Sequence, residues 1–233
     1  MSLDDAPITT VVRPRTLSAT VAERLRRAII DSELPLGAEL SEVSLAAKLG
    51  VSRTPVREAL LLLQKQGMVN IVPQKGSYVF LPTEQDLTDL CEYRLVLEVC
   101  AARFALQRSH AAALTQLQQV VAAMEVASAA HDVIAYCHAD TAFHDVFLRH
   151  CRNRYLQDGY AMLVGPIATL RTHLALALAE VRERSVIQHQ GIIDCFAAGE
   201  ADALERLLSS HILSTRESYV KALQEGVIGR VHG

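Results

Sequence analysis

Apolar positions recur at Val21, Leu25, Ala28 and Ile29, the three-and-four spacing by which a helix buries one stripe. This predicts a first helix over residues 20–33, with Thr20 and Glu23 as a capping box and Pro35 and Gly37 closing the segment. A second, short helix is expected from Ser41 to Gly50, with Val43, Ala46 and Ala47 turned inward and Gly50 free to take the left-handed conformation that ends a helix. Val51 and Ser52 complete a tight turn. Ser52 is then placed to cap a third helix, and Pro55 falls in its first turn, where a missing N–H costs nothing. Val56, Ala59, Leu60 and Leu63 make the inward stripe of this helix, so Arg53, Thr54, Arg57 and Glu58 face outward near its N-terminus. The period then changes: VNIV (69–72), the turn Pro73-Gln74-Lys75-Gly76 and SYVF (77–80) alternate as a small β-hairpin does.

After Leu81-Pro82 the helical period returns and holds. Thr83 is placed to cap a long helix running to Arg108, and further helical patterns occupy 111–129, 132–150, 153–175, 178–198 and 200–224. Breaks fall at Ser109-His110, near Ala130-His131, at Asn153, between Glu180 and Ser185, and at Gly199. Nothing here reads as a strand. The expected fold is mainly α: a flexible tail over residues 1–15, a winged helix-turn-helix over 16–82, and an all-α antiparallel bundle of six or seven helices over 83–228. The two domains join within residues 81–85, a connection short enough to transmit a change of shape.

Composition sharpens this division. Residues 1–82 carry 10 Lys and Arg against 8 Asp and Glu, a net +2, whereas residues 83–233 carry 13 against 18, a net −5. All nine histidines and all five cysteines lie after residue 82. Cys91, Cys100, Cys137, Cys151 and Cys195 are odd in number, with no CxxC pair, and are expected as reduced, buried thiols. The start of the chain is acidic where a signal peptide is basic, and the stretch AMLVGPIATL (161–170) is too short to span a bilayer and is broken by Pro166. A cytoplasmic protein with no membrane partner is expected.

Two groups of residues carry candidate chemistry. Arg53 and Arg57 stand one turn apart at the head of a helix that follows a tight turn, where a helix-turn-helix enters the major groove and arginines reach guanine O6/N7 or phosphate. Lys75 at the hairpin tip is placed to reach phosphate beside the groove. The bland alternative is a solvated arginine face, and the modest +2 charge suggests that two copies act together. In the bundle, Asp140 and His144 are four apart and share a helix face, while His189 and His211 stand about ten residues either side of a reversal at Gly199. A carboxylate and three imidazoles meeting there suit Zn2+ or a similar divalent ion, with positions left open for water or a ligand oxygen. The alternative is a set of unrelated histidines. Arg94, alone among apolar neighbours, needs an anion: either Glu98 one turn on, or the carboxylate of a ligand.

The run LSEVSLAAKLGVSRTPVREALLLLQKQGMVNIVPQKGSYV, and above all SRTPVREAL, resembles the winged helix-turn-helix of GntR-type bacterial transcription regulators, and the helical remainder resembles the FCD effector domain of their FadR subfamily. The resemblance covers residues from about 16 to 225. It implies DNA contact by Arg53 and Arg57, with help from Ser52, Thr54 and the wing residues Gln74, Lys75 and Gly76. Val43 stands where FadR proteins carry a DNA-contacting arginine, so their operator does not transfer. Asp140, His144, His189 and His211 match the ligand pattern of the metal-containing branch, implying Zn2+, with Ni2+ or Mn2+ as alternatives, and a small organic acid effector. Arg94 is implied to hold its carboxylate, with Arg171, Asn153 and Tyr155 as weaker pocket candidates. The resulting expectation is a homodimeric regulator, a repressor in the commoner arrangement, binding a double-stranded DNA operator. Competing readings are a zinc-dependent hydrolase-like enzyme, which lacks an evident general base beside the ligands, and a helical interaction module without DNA or metal.

Overall fold

A computed structural model describes residues 16–228, so the expected tail and His232 lie outside the described residues. The first helix, α1 (Leu17–Ile30), starts three residues before the pattern places it. Its cap is Thr16, whose hydroxyl accepts the Ala19 N–H at 3.2 Å, and not Thr20, which lies inside the helix. Ser32, left-handed at φ 64°, turns the chain towards α2 (Glu42–Leu49), which Ser41 caps and Gly50, at φ 66°, ends as expected. On α2 it is Leu45 and Ala46 that are buried. Val43 is 61% exposed and Ala47 also faces out, correcting the expected inward stripe. The third helix, α3 (Arg53–Lys65), buries Val56, Ala59, Leu60 and Leu63. Ser52 occupies its N-cap position without a side-chain cap bond.

The antiparallel hairpin β1 (Val69–Val72) and β2 (Gly76–Val79) pairs Val69 with Val79 and Val72 with Gly76, one residue earlier on the second strand than expected. Residues 38–40 add a bridge from Glu39 to Tyr78, tying the wing back to the start of α2.

Leu81 and Pro82 lead into α4 (Glu84–Ala129), a 46-residue helix with a full capping box between Thr83 and Asp86. It is interrupted at Ser109, where φ −150° and ψ 31° leave the helical region, so the two patterns read from sequence are one kinked rod. Then come α5 (Val133–His150), α6 (Arg154–Ala177), α7 (Ala179–Ala198) and α8 (Ala201–Gln224). The bundle thus has five helices, or six if the kink divides α4. The further break expected near Glu180 to Ser185 is absent; α6 and α7 separate at Leu178, close to the boundary expected between 175 and 178, where the backbone is extended at φ −130° and ψ 102°. Gly199, at φ 74°, reverses the chain between α7 and α8.

The bundle centres on α4, against which α5, α7 and α8 pack, and α6 closes the side that faces the winged domain. There α1 lies on α6, and Gly67 and Met68, just after α3, meet Pro166 and Gly165. Two polar contacts cross the same boundary: Asp31 Oδ1 to His138 Nε2 at 2.6 Å, and Ser32 Oγ to His173 Nδ1 at 3.3 Å. All five cysteines are unpaired; Cys100 is exposed, against expectation. Among the described residues no helix is long and apolar enough to cross a membrane.

Candidate nucleic-acid interface and metal centre

The order α2, Gly50 turn, α3 puts the head of α3 on the outer surface, because its apolar stripe faces α1 and α2. Arg53 and Arg57 accordingly have side chains 60% and 61% exposed, with Ser52 and Thr54 beside them. Neither arginine is free in solvent. Glu42, the first residue of α2, accepts from Arg57 Nε and Nη2 at 2.9 Å each and from Arg53 Nη2 at 3.1 Å. The bond to Arg57 raises that guanidinium's proton affinity and lowers that of the carboxylate. On the wing, Gln74 (φ 62°) and Gly76 (φ 128°) take left-handed conformations that lift Lys75 to the exposed tip, and Tyr78 Oη pins the turn by donating to the Lys75 carbonyl at 3.0 Å.

Inside the bundle, α5 contributes Asp140 and His144, α7 contributes His189 and α8 contributes His211. All four are buried. One nitrogen of each histidine lies within 4.8 Å of the others, and Asp140 Oδ1 sits 3.5 Å from His144 Nε2 and 3.9 Å from His189 Nε2. Phe143 stacks on His189 with ring centroids 4.1 Å apart, fixing its plane. His211 Nδ1 is 2.9 Å from Gln188 Oε1; donating there leaves its Nε2 lone pair for the centre of the cluster. Both nitrogens of His189 and Nε2 of His144 have no hydrogen-bond partner, although buried polar atoms nearly always have one. Burial, reinforced at His211 by the other two imidazoles, pushes His189 down to about 3 and His211 well below its usual range, so both are neutral, the form that ligates metal. Burial raises the Asp140 carboxyl, but Arg171 beside it, with His144 and His189, more than offsets this and holds it well below the usual carboxylate range. Orphaned imidazole nitrogens around an ionised carboxylate fit a borderline divalent cation.

Glu98 forms the next layer. Its Oε1 accepts from Arg94 Nε at 2.6 Å and from Tyr160 Oη at 2.8 Å, and its Oε2 lies 2.7 Å from His144 Nδ1, off the line a ring N–H bond requires. Arg94 therefore has the salt bridge the sequence offered as one alternative. It also has more: Nη2 remains buried without a partner, as does the hydroxyl of Tyr219. Both residues line a cavity of about 30 Å³ together with Asp140, Arg171 and His211. Arg171 is 3.0 Å from Asp140 Oδ1 through Nε and donates from Nη1 to Thr141 Oγ1 at 2.7 Å. Asn153 is not part of this group. Its Oδ1 accepts the N–H groups of Tyr155 and Leu156 as the N-cap of α6, and Tyr155 is exposed.

Sequence reasoning missed Tyr160, Gln188 and Tyr219, whose helical spacing resembles that of any packing residue, and missed Glu42 as the partner of both arginines. No local signal links Glu42 to Arg57, because the contact forms only when α2 and α3 fold together.

Comparison with known proteins covers both parts. Residues 17–79 match the pattern of bacterial regulatory proteins of the gntR family, and residues 89–214 match the FCD domain. Over 203 residues the chain is 30% identical to a probable D-xylose utilization operon transcriptional repressor of Paenarthrobacter nicotinovorans, covering 85% of this chain and 88% of that one. It is 26% identical over 201 residues to the HTH-type transcriptional repressor RspR of Escherichia coli K12, covering 86% and 88%. Among solved structures, a GntR transcriptional regulator from Rhodococcus sp. RHA1 superposes with a TM-score of 0.79 at 25% identity, over 88% of this chain and 98% of that one.

Proposed function

Because the chain belongs to the gntR family of bacterial regulatory proteins, with an FCD domain behind its DNA-binding domain, we propose that it is a homodimeric transcriptional repressor whose grip on an operator is set by a small carboxylate held beside a divalent metal ion inside the bundle. That it is a DNA-binding transcription regulator and not an enzyme follows from the family and from its relatives. The hydrolase alternative is thereby set aside. The site agrees, since the carboxylates beside the imidazoles, Asp140 and Glu98, are each engaged by an arginine and neither is free as a general base.

In this reading Asp140, His144, His189 and His211 hold the ion, Zn2+ or a similar cation, which supplies a Lewis-acidic position for a ligand oxygen. The observation that carries the proposal is the unpartnered Nη2 of Arg94, a residue that lines the cavity with His211 and Asp140. A buried guanidinium N–H without an acceptor is costly, and a ligand carboxylate would supply that acceptor close to the residues that would hold the metal. Arg171 adds positive charge to the same cavity. At about 30 Å³ the cavity has room for one or two waters, so a carboxylate enters only by moving its walls. The walls include Arg182 and Arg184 on the first turns of α7. That movement gives the ligand different affinities for two arrangements of the bundle, which is what shifting a DNA-competent population requires. At the other end, Arg53 and Arg57, with Ser52 and Thr54, read the major groove, while Gln74, Lys75 and Gly76 follow the phosphates.

Elemental analysis of dialysed protein tests the metal site. The unaltered chain is expected to hold about one divalent ion per chain, and His189→Ala to hold far less while still shifting DNA in a gel without carboxylate. Equal metal content in the two proteins would remove the assignment.

A further inference from the structure

Glu42 places a negative charge in the middle of a surface that, in the reading above, approaches phosphates, and this is unfavourable unless the carboxylate does something else there. Its geometry says what. It is held on α2, whose first turn Ser41 caps, and its side chain is only 24% exposed where those of the arginines are about 60% exposed. The two oxygens take Nε and Nη2 of Arg57, the side edge of the guanidinium, at 2.9 Å each. That leaves the end edge, Nη1 with the outer hydrogen of Nη2, pointing away from Glu42. Two parallel N–H donors remain on that edge, enough for a bidentate pair with guanine O6 and N7. The same Oε2 accepts from Arg53 Nη2, so one carboxylate fixes the spacing of both guanidinium groups.

We propose that Glu42 is the positioning residue for DNA reading: it locks Arg57 and Arg53 into a base-reading arrangement and, by neutralising part of their charge, suppresses binding to phosphate alone. The residue thus sets the ratio of specific to non-specific binding and not overall affinity. This rests on the assignment of Arg53 and Arg57 as DNA-reading residues.

Two variants separate the effects. Glu42→Gln removes the charge and one strong acceptor; Glu42→Asp keeps the charge but is one methylene too short to reach both arginines. The probes are a duplex enriched from a random library by the unaltered full-length chain and a duplex of scrambled sequence, at fixed salt. For Glu42→Gln, affinity for the enriched duplex is expected to fall about tenfold. Affinity for the scrambled duplex is expected to rise, with its logarithmic salt dependence steepening by about one unit as a freed arginine takes a phosphate. Glu42→Asp is expected to lose affinity for the enriched duplex with no gain on the scrambled one. Should Glu42→Gln raise both affinities by the same factor, or Glu42→Asp match the unaltered chain on both probes, Glu42 is only a surface charge and the inference fails. If the unaltered chain enriches no sequence, the DNA-reading assignment fails with it; an enrichment lost equally in Arg57→Ala and Glu42→Gln supports both.

Discussion

Burial keeps His189 and His211 neutral, and stability inherits a pH dependence from that. In the unfolded chain an imidazole takes a proton near pH 6.5, whereas burial keeps native His189 neutral down to about 3 and His211 is lowered by the same cause. Between those limits the unfolded state binds more protons, so stability is highest above pH 6.5 and falls as the solution is acidified. Asp140 and Glu98, both held below their usual range, add a loss of the same sign, but only below about pH 4.5, where unfolded carboxyls begin to protonate. Urea unfolding of chelator-treated protein from pH 7.5 to 4.5 should therefore give a steady fall in midpoint, shallower in His189→Ala; a flat midpoint would contradict neutral buried imidazoles. The four-residue spacing of Asp140 and His144 and the symmetric placing of His189 and His211 about Gly199 made their meeting possible to read, but spacing left a set of unrelated histidines as the better alternative, and the resemblance to the metal-containing branch was needed to select them. Glu98 was legible only as the partner of Arg94, one turn away. Its contacts with His144 and Tyr160 join different helices, and nothing local encodes them.

Helix ends divide in the same way. Those written in local chemistry were readable: Gly50 and Gly199 adopt the left-handed conformation, Asn153 caps α6, and Thr83 with Asp86 closes a reciprocal box. The start of α1 was misplaced because Thr20-x-x-Glu23 has the form of a capping box, while the working cap, Thr16, bonds Ala19 and has no acidic partner. The further break expected near Glu180 to Ser185 does not form, while the boundary between α6 and α7 falls at Leu178, beside the one expected between 175 and 178. LALALAE favours helix at every position, so the extended residue there is imposed by packing of α6 and α7 and not by propensity. Paired cap variants follow from this. Thr83→Ala loses the hydroxyl that accepts the Asp86 N–H at 3.2 Å and donates to Asp86 Oδ2 at 2.7 Å, while the backbone N–H of residue 83 keeps its bond to Asp86, and should lower stability by about 1 kcal/mol in urea unfolding. Ser52→Ala, at an N-cap position with no side-chain bond, should stay within about 0.5 kcal/mol, so any change it makes in operator affinity reports on DNA contact. A full cap penalty at Ser52 would show that its hydroxyl caps α3 in solution.

At the scale of the whole molecule, the winged domain is docked against α6 and α5, and α5 carries two of the four candidate ligands, Asp140 and His144. Asp31 meets His138 on α5, two residues before Asp140, and Ser32 meets His173 on α6, two residues after Arg171. Elsewhere on the same boundary Gly165 lies so close to buried Met68 that an added Cβ would fall 2.9 Å from its Cγ. Gly165→Ala should therefore loosen the docking of the two domains without touching the metal ligands. Small-angle scattering should give a larger radius of gyration at unchanged metal content, and the response of DNA binding to mono- and dicarboxylates should weaken. Unchanged scattering would mean that Met68 gives way and the boundary does not depend on this contact. The kinked α4 adds a consequence of its own. From Ser109 to Glu84 it runs 25 residues, about 37 Å of rigid rod. With Ser109 as a fulcrum, a tilt of roughly 5° sweeps the wing end through an arc of about 3 Å, near a quarter of a major-groove width. Arg94 and Glu98 ride on that lever, so a displacement of under 2 Å at the cavity is magnified before it meets the nucleic acid.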